Sequence, residues 1–489
     1  AGTLCRPAGT RMTITLLLVL EVVEWSIRLW MLLVVITRPQ RPVVALAWLA
    51  LTLWLPWLGL VLYFLIGERR LGRRRAKRYV QSVHIQQMAS HPGVNRSFVI
   101  HPQIDEHQHS LVTVAETLVG MPILGGNQVE FLPHAARFID LLIEDIDKAR
   151  HHVHMVYFIF EDDEVGRRVG AALARASKRG VQCRVLADAA GSFFFFHDLA
   201  PTLRAEGVDV RANLPVRSLR RLLSRIDLRN HRKLAIVDGL VAYTGSHNIV
   251  RTDMGHRRGG VWQDLTARIE GPTVAQLQAV FLDDWCFETE STIPEEGLFP
   301  PCPTPDRVPI QVVPTGPSGG LNANMRDIII EALHSARRRV IITTPYFVPD
   351  EALVTALRLA SARGVLVELV LPDTSDNILT DLAGRSYFTQ LLESKVHIYL
   401  NKAGMLHAKT MTVDDGFAMV GSANFDIRSF FLNFELNLLL YEKDATAQLR
   451  FCQMQYINDS AEVVLDLWRA RPIYRTMTEN AAMLLSPLL

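Results

Sequence analysis

The 489 residues exceed what one small domain uses and call for two or three domains, each with its own core. Lys and Arg number 52 against 50 Asp and Glu, so the formal charge of +2 excludes attraction to anionic partners through bulk charge and leaves that to local clusters. The five cysteines, Cys5, Cys183, Cys286, Cys302 and Cys452, show no CxxC or Cys/His spacing, which argues against a zinc framework and for free thiols in a reducing compartment.

The chain opens at Ala1 without an initiator methionine, and Met12 stands just before the first apolar run. Thr13 to Ile36 is apolar except for Glu21, Glu24 and Arg28, whose offsets put them on one helix face with Glu24 able to pair with Arg28. Such a stripe faces the second helix, another subunit of a homo-oligomer or lipid headgroups, or is a paired stripe that the membrane tolerates. Val43 to Ile66 has 24 residues without a formal charge, enough to cross the hydrocarbon core as a helix, with Pro56 and Gly59 suggesting a kink. Residues 12–66 are thus expected to form a transmembrane helical hairpin and 67–125 a basic juxtamembrane linker. Gly67 to Arg78 carries seven basic residues and the loop between the apolar runs has Arg38 and Arg41, so the positive-inside rule places everything C-terminal in the cytoplasm. Lack of a signal-peptide cleavage pattern agrees, and the basic run should attract anionic headgroups.

The remainder repeats itself. LLIEDIDKAR (Leu141 to Arg150) matches IIIEALHSAR (Ile328 to Arg337), each an amphipathic helix leading into a strand. HVHMVYFIF (His152 to Phe160) matches VIITTPYFV (Val340 to Val348), with Tyr157 set against Tyr346. Glu164 to Asp188 matches Glu351 to Asp373, a helix ended by glycine and a second buried strand, and this order implies parallel crossovers. The Pro-rich stretch Leu298 to Pro309 separates the copies, giving repeats over 126–297 and 310–489 joined by 298–309.

Each copy ends in the same chemical pattern. HRKLAIVDGLVAYTGSHN supplies His231, Lys233, Asp238, Ser246 and Asn248, and HAKTMTVDDGFAMVGSAN supplies His407, Lys409, Asp414, Ser422 and Asn424. Both fit HxKx4Dx6GSxN without a gap, and their β-prone interiors with Asp-Gly pairs predict hairpins. On an extended chain i and i+2 share a side, so each histidine can point with its lysine into one pocket. A lone strand histidine is most often structural; two copies of six matched positions reverse that weighting.

The pattern resembles the signature of the phospholipase D superfamily. Within it the chain resembles bacterial cardiolipin synthases, by its two N-terminal hydrophobic segments, the LIGERRLGRRRAKR junction, GSANFDIRSFFLNFELN around the second motif and the closing SPLL. The first copy departs from that wording after its motif. The resemblance implies an α/β fold of two pseudo-symmetric halves, mixed β-sheets flanked by helices, sharing one active site behind a two-helix transmembrane segment. It also implies a multi-pass protein of the bacterial cytoplasmic membrane, its catalytic domain on the cytoplasmic side, that needs no metal or cofactor. The activity implied is phosphatidyl transfer between two phosphatidylglycerols, giving cardiolipin and glycerol. Other readings are a phospholipase D-type hydrolase, a phosphatidylethanolamine-using transphosphatidylase, and an inactive membrane-binding scaffold.

A phosphodiester repels nucleophiles, so its site needs positive charge and a neutral attacking group. Lys233 and Lys409, with Asn248, Asn424 and the Ser246 and Ser422 hydroxyls, are expected to hold the phosphate oxygens. By resemblance His231 is the nucleophile that forms a phosphohistidine and His407 the acid/base, although pseudo-symmetry leaves the reverse chemically open. The family arrangement suggests that Glu435 orients His231 and Asp264 orients His407, each across the halves. Asp238 and Asp414, beside a turn, are expected to be structural. Ser192 and Phe193 to Phe196 follow a strand end where ligands gather, so these rings contact acyl chains or are half core. The basic segment with Arg217, Arg220, Arg221, Arg225 and Arg229 reads as an amphipathic helix docking on anionic lipid; a nucleic-acid partner is disfavoured by the membrane anchor.

Overall fold

The computed structural model describes residues 8–38, 42–67, 96–215, 228–253, 260–289, 291–294, 296–317 and 324–484. The N-terminal helices form a unit separate from the α/β body. Arg217, Arg220, Arg221 and Arg225, the basic junction beyond Gly67 and the closing SPLL lie outside the described residues.

In the N-terminal unit a helix spans Ala8–Ile36, a second Pro42–Trp54 and a third Pro56–Leu62, followed by a wide turn over Tyr63–Gly67. The run from Val43 to Ile66 is interrupted at Pro56, where the kink was expected. Pro56 has no N–H to donate, and Leu55 leaves helical geometry at φ −132°, ψ 73°. No helix among the described residues is long and apolar enough to cross a membrane. The polar stripe meets this break: Arg28 bonds Glu24 at 3.1 Å, and its Nε donates at 3.1 Å to the Leu53 carbonyl, in the last turn before the interruption. A charged side chain is thus retained where the backbone has polar groups to offer.

The body opens with β1 (Leu124–Leu132), β2 (His152–Tyr157), β3 (Gln182–Asp188), β4 (Asp209–Asn213), β5 (Leu234–Val237), β6 (Val241–Gly245), β7 (Trp262–Gln263) and β8 (Thr266–Glu270). The second half adds β9 (Val308–Thr315), β10 (Arg339–Thr343), β11 (Phe347–Val348), β12 (Leu366–Pro372), β13 (His397–Asn401), β14 (Met405–Leu406), β15 (Thr410–Val413), β16 (Phe417–Gly421), β17 (Phe425–Asp426), β18 (Glu435–Leu440) and β19 (Ser460–Glu462). Fifteen of these make one mixed sheet in the order β19-β13-β12-β10-β15-β16-β18-β9-β1-β8-β6-β5-β2-β3-β4. The halves join at the antiparallel β1–β9 pair, and outward from it each repeats the same arrangement. The crossovers β2–β3–β4 and β10–β12–β13 are parallel, as the helix between strands predicts.

Alternation along the strands feeds two cores. Val153, Met155, Tyr157, Ala235 and Val237 pack under helices Ala135–Lys148 and Glu164–Lys178, while Val156, Leu234 and Ile236 face the buried helix Thr273–Thr289. Strands covered on both faces read as continuous apolar runs, which is why these segments look uniformly buried in sequence.

Two expectations change. Residues 96–123 are folded rather than linking: Val99 bridges to Leu124, and helix His109–Val119 packs against helix Asn324–Ser335 of the second half. Tyr157 is not the counterpart of Tyr346. Met155 stands opposite Ala235 and Ile342 opposite the matching Met411, so Tyr157 aligns with Thr344 and lies in the core, whereas Tyr346 lies beyond the strand.

Candidate active site

Both motif hairpins are present, β5–β6 and β15–β16, but the histidines and lysines fall on the extended approach to each hairpin instead of within it. There the chain pairs with the opposite half. The N–H of His231 donates to Phe434 O at 2.9 Å and that of His407 to Gln263 O at 2.8 Å. Each contact brings a histidine beside the residue that carries the other half's carboxylate.

His231 Nδ1 lies 3.0 Å from Glu435 Oε2 and 3.0 Å from the Ser422 carbonyl. His407 Nδ1 lies 2.6 Å from Asp264 Oδ1. Carboxylate and carbonyl acceptors require the proton on Nδ1, which leaves the lone pair of a neutral ring on Nε2. Lys233 Nζ donates to His231 O at 2.9 Å and Lys409 Nζ to His407 O at 2.5 Å. All six groups are buried.

Their charges act across the halves. Burial holds the His231 imidazole down to about 4, with Lys233 and Lys409 adding to the depression against the opposing pull of Glu435. Burial likewise lowers His407. It brings Lys233 down to about 8 and, with the Lys233 charge adding to it, Lys409 down to about 7. Burial would raise Asp264 and Glu435, yet each is held below the ordinary carboxylate range by its histidine partner and nearby lysine. The result is two neutral imidazoles and two easily discharged ammonium groups around a dry pair of carboxylates, a cluster that an added anion would recharge.

The two carboxylates differ in their surroundings. Besides His231, Glu435 accepts from Ser422 Oγ at 2.6 Å, Ser429 Oγ at 2.9 Å and Asn433 Nδ2 at 3.3 Å. Among the described residues His407 is the sole hydrogen-bond donor to the Asp264 side chain. Ring partners differ too: Trp262 stacks on His407 at 4.8 Å and Tyr346 meets it edge-on at 6.5 Å, while Phe158 stands edge-on to His231 at 5.1 Å and beneath Lys233 at 5.6 Å.

The Ser246 and Ser422 hydroxyls are bonded within the protein. Each accepts the backbone N–H that follows an acid, Leu265 N at 2.8 Å and Leu436 N at 2.9 Å, and Ser246 also donates to Leu265 O. The preceding glycines permit this approach, since a Cβ on Gly245 would sit 2.3 Å from Leu265 O and one on Gly421 2.5 Å from Leu436 O. Asn248 braces the chain after β2 by accepting Ile159 N–H at 3.1 Å; Asn424 sits where its own N–H donates to Ser429 Oγ at 3.1 Å. Asp238 and Asp414 turn away from the histidines. Asp238 accepts N–H bonds from Arg150, His151 and His152, and Asp414 from Arg337, Arg338 and Arg339, at 2.7–3.0 Å. Each adopts positive φ to do so, +53° and +47°, a geometry that aspartate tolerates better than most residues.

Sequence reasoning passed over Ser429, Asn433, Trp262, Phe158 and the buried Arg232. That guanidinium donates to Asp284 at 2.6 Å, Thr315 O at 3.0 Å and Glu435 O at 3.2 Å, tying the halves together behind His231. The gapless wording around GSANFDIRSFFLNFE held a signal for Ser429 and Asn433; the other three have no partner visible along the chain.

This fold of paired halves is also that of the phosphatidylserine synthase from Haemophilus influenzae Rd KW20, at TM-score 0.60 and 16% identity, over 78% of this chain and 100% of that one. Residues 142–285 and 329–452 match the model of the cardiolipin synthase phospholipase D-like domain, and residues 27–68 match that of the phospholipase D-nuclease N-terminal region. Cardiolipin synthase A of Yersinia pseudotuberculosis serotype O:3 (strain YPIII) is 36% identical over 467 residues, spanning 91% of this chain and 93% of the relative. That of Yersinia pestis bv. Antiqua (strain Angola) is 35% identical over the same span. The chain belongs to the cardiolipin synthase family of phospholipase D-like proteins.

Proposed function

We propose that the protein is a cardiolipin synthase that joins two phosphatidylglycerols. His231 Nε2 attacks the donor phosphorus, the bond to the glycerol oxygen breaks, and His407, which takes up a proton at Nε2 to become imidazolium as the lipid anion binds, gives that oxygen its proton. The freed His407 then takes a proton from the hydroxyl of a second phosphatidylglycerol, whose oxygen attacks phosphorus and breaks the P–N bond, yielding cardiolipin. Lys233 and Lys409 hold the phosphate oxygens, with Asn248 and Asn424 bordering the same space, and the bound anion restores the charge that burial withdraws.

The observation that carries this reading is the crossed pairing, His231 with Glu435 and His407 with Asp264, which makes one site from two halves. The unequal carboxylates support the role of each histidine. Glu435 shares its charge among four donors, so it pulls less on the His231 proton and leaves a ring that both attacks and departs. Asp264 concentrates its charge on His407, favouring the imidazolium that an acid/base must pass through.

The N-terminal helices belong in the bacterial cytoplasmic membrane, with the catalytic body on the cytoplasmic side. Leu16, Val22, Trp25, Leu29, Leu46 and Trp54 present large apolar surface outward, which water disfavours and lipid accepts. The seven basic residues of 67–78 fit the cytoplasmic face.

The test is the protein in phosphatidylglycerol vesicles, with lipid products compared for the unaltered chain and His231→Ala. Cardiolipin and glycerol from the unaltered chain alone support the synthase; phosphatidic acid in their place makes it a hydrolase.

A further inference from the structure

Each half carries a pair of exposed apolar side chains at the same place in its repeat. Phe193 opens the helix Phe193–His197 that follows β3, and Ile378 opens the helix Ile378–Arg385 that follows β12. Phe193 and Phe194 are 64% and 62% exposed, Ile378 and Leu379 48% and 38%, while Phe195 is fully buried. The aromatic run thus divides into a core ring stacked on Phe160 and an outward pair in edge-to-face contact at 5.5 Å. Single exposed apolar residues are ordinary; matched pairs in both repeats are not.

Both pairs are wired to a catalytic histidine. Ser192, next to Phe193, donates to the carbonyl of Phe158, whose ring stands against His231. Asp376, two residues before Ile378, accepts from the hydroxyl of Tyr346 at 2.6 Å, and the Tyr346 ring stands against His407. Each apolar pair is therefore continuous with one side of the site. The second is broadened by the last helix, Ile473–Leu484, which packs on helix Ile378–Arg385 and exposes Ile473 and Met477.

Resting on the synthase reading, we propose that the two pairs are the acyl-chain contacts of two different lipid molecules. In-line displacement fixes which is which. His231 attacks opposite the departing glycerol, so the leaving and the entering hydroxyl both occupy the His407 side. The acceptor lipid then lays its chains on Ile378 and Leu379, and the donor, held on His231 through its phosphorus, lays its chains on Phe193 and Phe194.

The experiment uses the full chain in mixed micelles, with Phe193→Ser/Phe194→Ser and Ile378→Ser/Leu379→Ser compared on long-chain and dihexanoyl phosphatidylglycerol. A soluble alcohol serves as the alternative acceptor. The first variant should lose about tenfold in kcat/KM on the long-chain donor with either acceptor, a loss of about 1.4 kcal/mol. The second should lose as much in cardiolipin formation while keeping transfer to the soluble alcohol. Both should match the unaltered chain on dihexanoyl lipid, which separates lost chain contact from lost folding. Unchanged long-chain rates, or equal losses on both chain lengths, would overturn the assignment while the synthase reading stands. Failure of the unaltered chain to form cardiolipin would remove the reading itself.

Discussion

Replacing Glu435 with glutamine and Asp264 with asparagine should damage two different chemical events, although each change removes one buried carboxylate charge. Glu435→Gln keeps an acceptor near His231 Nδ1 but loses the charge that Ser422, Ser429 and Asn433 also share. Loss of a charge-assisted buried bond costs about 1.5–3 kcal/mol, or roughly 10- to 150-fold in attack on phosphorus. Asp264→Asn weakens the histidine proposed as general acid, a role worth about 10²–10⁴. A leaving group that needs no proton separates them. With phosphatidylglycerol, both variants should form labelled phosphoenzyme slowly in rapid-quench measurements. With a phosphatidyl nitrophenyl ester, Asp264→Asn should recover to within about tenfold of the unaltered chain and Glu435→Gln should not. Recovery of Glu435→Gln alone would exchange the two histidine roles, and equal recovery would refute the division of labour.

Other expectations follow from the same contacts. With burial holding Lys409 at about 7 and Lys233 at about 8, kcat/KM should fall as pH rises through that range, because discharged lysines cannot hold the phosphate. Saturating lipid should move this limb upward in kcat, since the bound anion favours charged lysine; a kcat/KM still rising near about pH 9 would contradict it. Asp238→Ala strands three backbone N–H groups and should cost about 2–4 kcal/mol of stability in urea unfolding, leaving activity in the fraction that stays folded. Arg232→Ala leaves buried Asp284 without its cation and should cost about 3–5 kcal/mol, whereas Arg232→Met with Asp284→Leu should recover most of that loss.

Legibility along the chain followed the range of the interaction. The crossovers, the hairpins and the positions of the motif residues come from local periodicity and turn chemistry repeated twice, so the duplicated arrangement could be read before any coordinates. In the apolar run from Val43 to Ile66 the kink expected at Pro56 is present, and the missing N–H there divides the run into separate helices, a division that hydropathy does not register. Tyr157 and Tyr346 were matched by residue type, while strand register, a long-range property, puts one in the core and the other beside His407.

The sequence by itself determined the chemistry available: two imidazoles, two ammonium groups and their carboxylates at repeated spacing. Only the tertiary structure decided how these groups are shared, since the partners of His231 and His407 lie 204 and 143 residues away. The β1–β9 junction makes the two halves one sheet, and the pairing of each histidine segment with the opposite acid-bearing segment follows from that closure. Glu435 takes its three further donors from its own half, within 13 residues, so that part was near at hand in the sequence, whereas the single histidine on Asp264 comes only from the closure, because it depends on which side chains of opposite halves become neighbours when water is excluded.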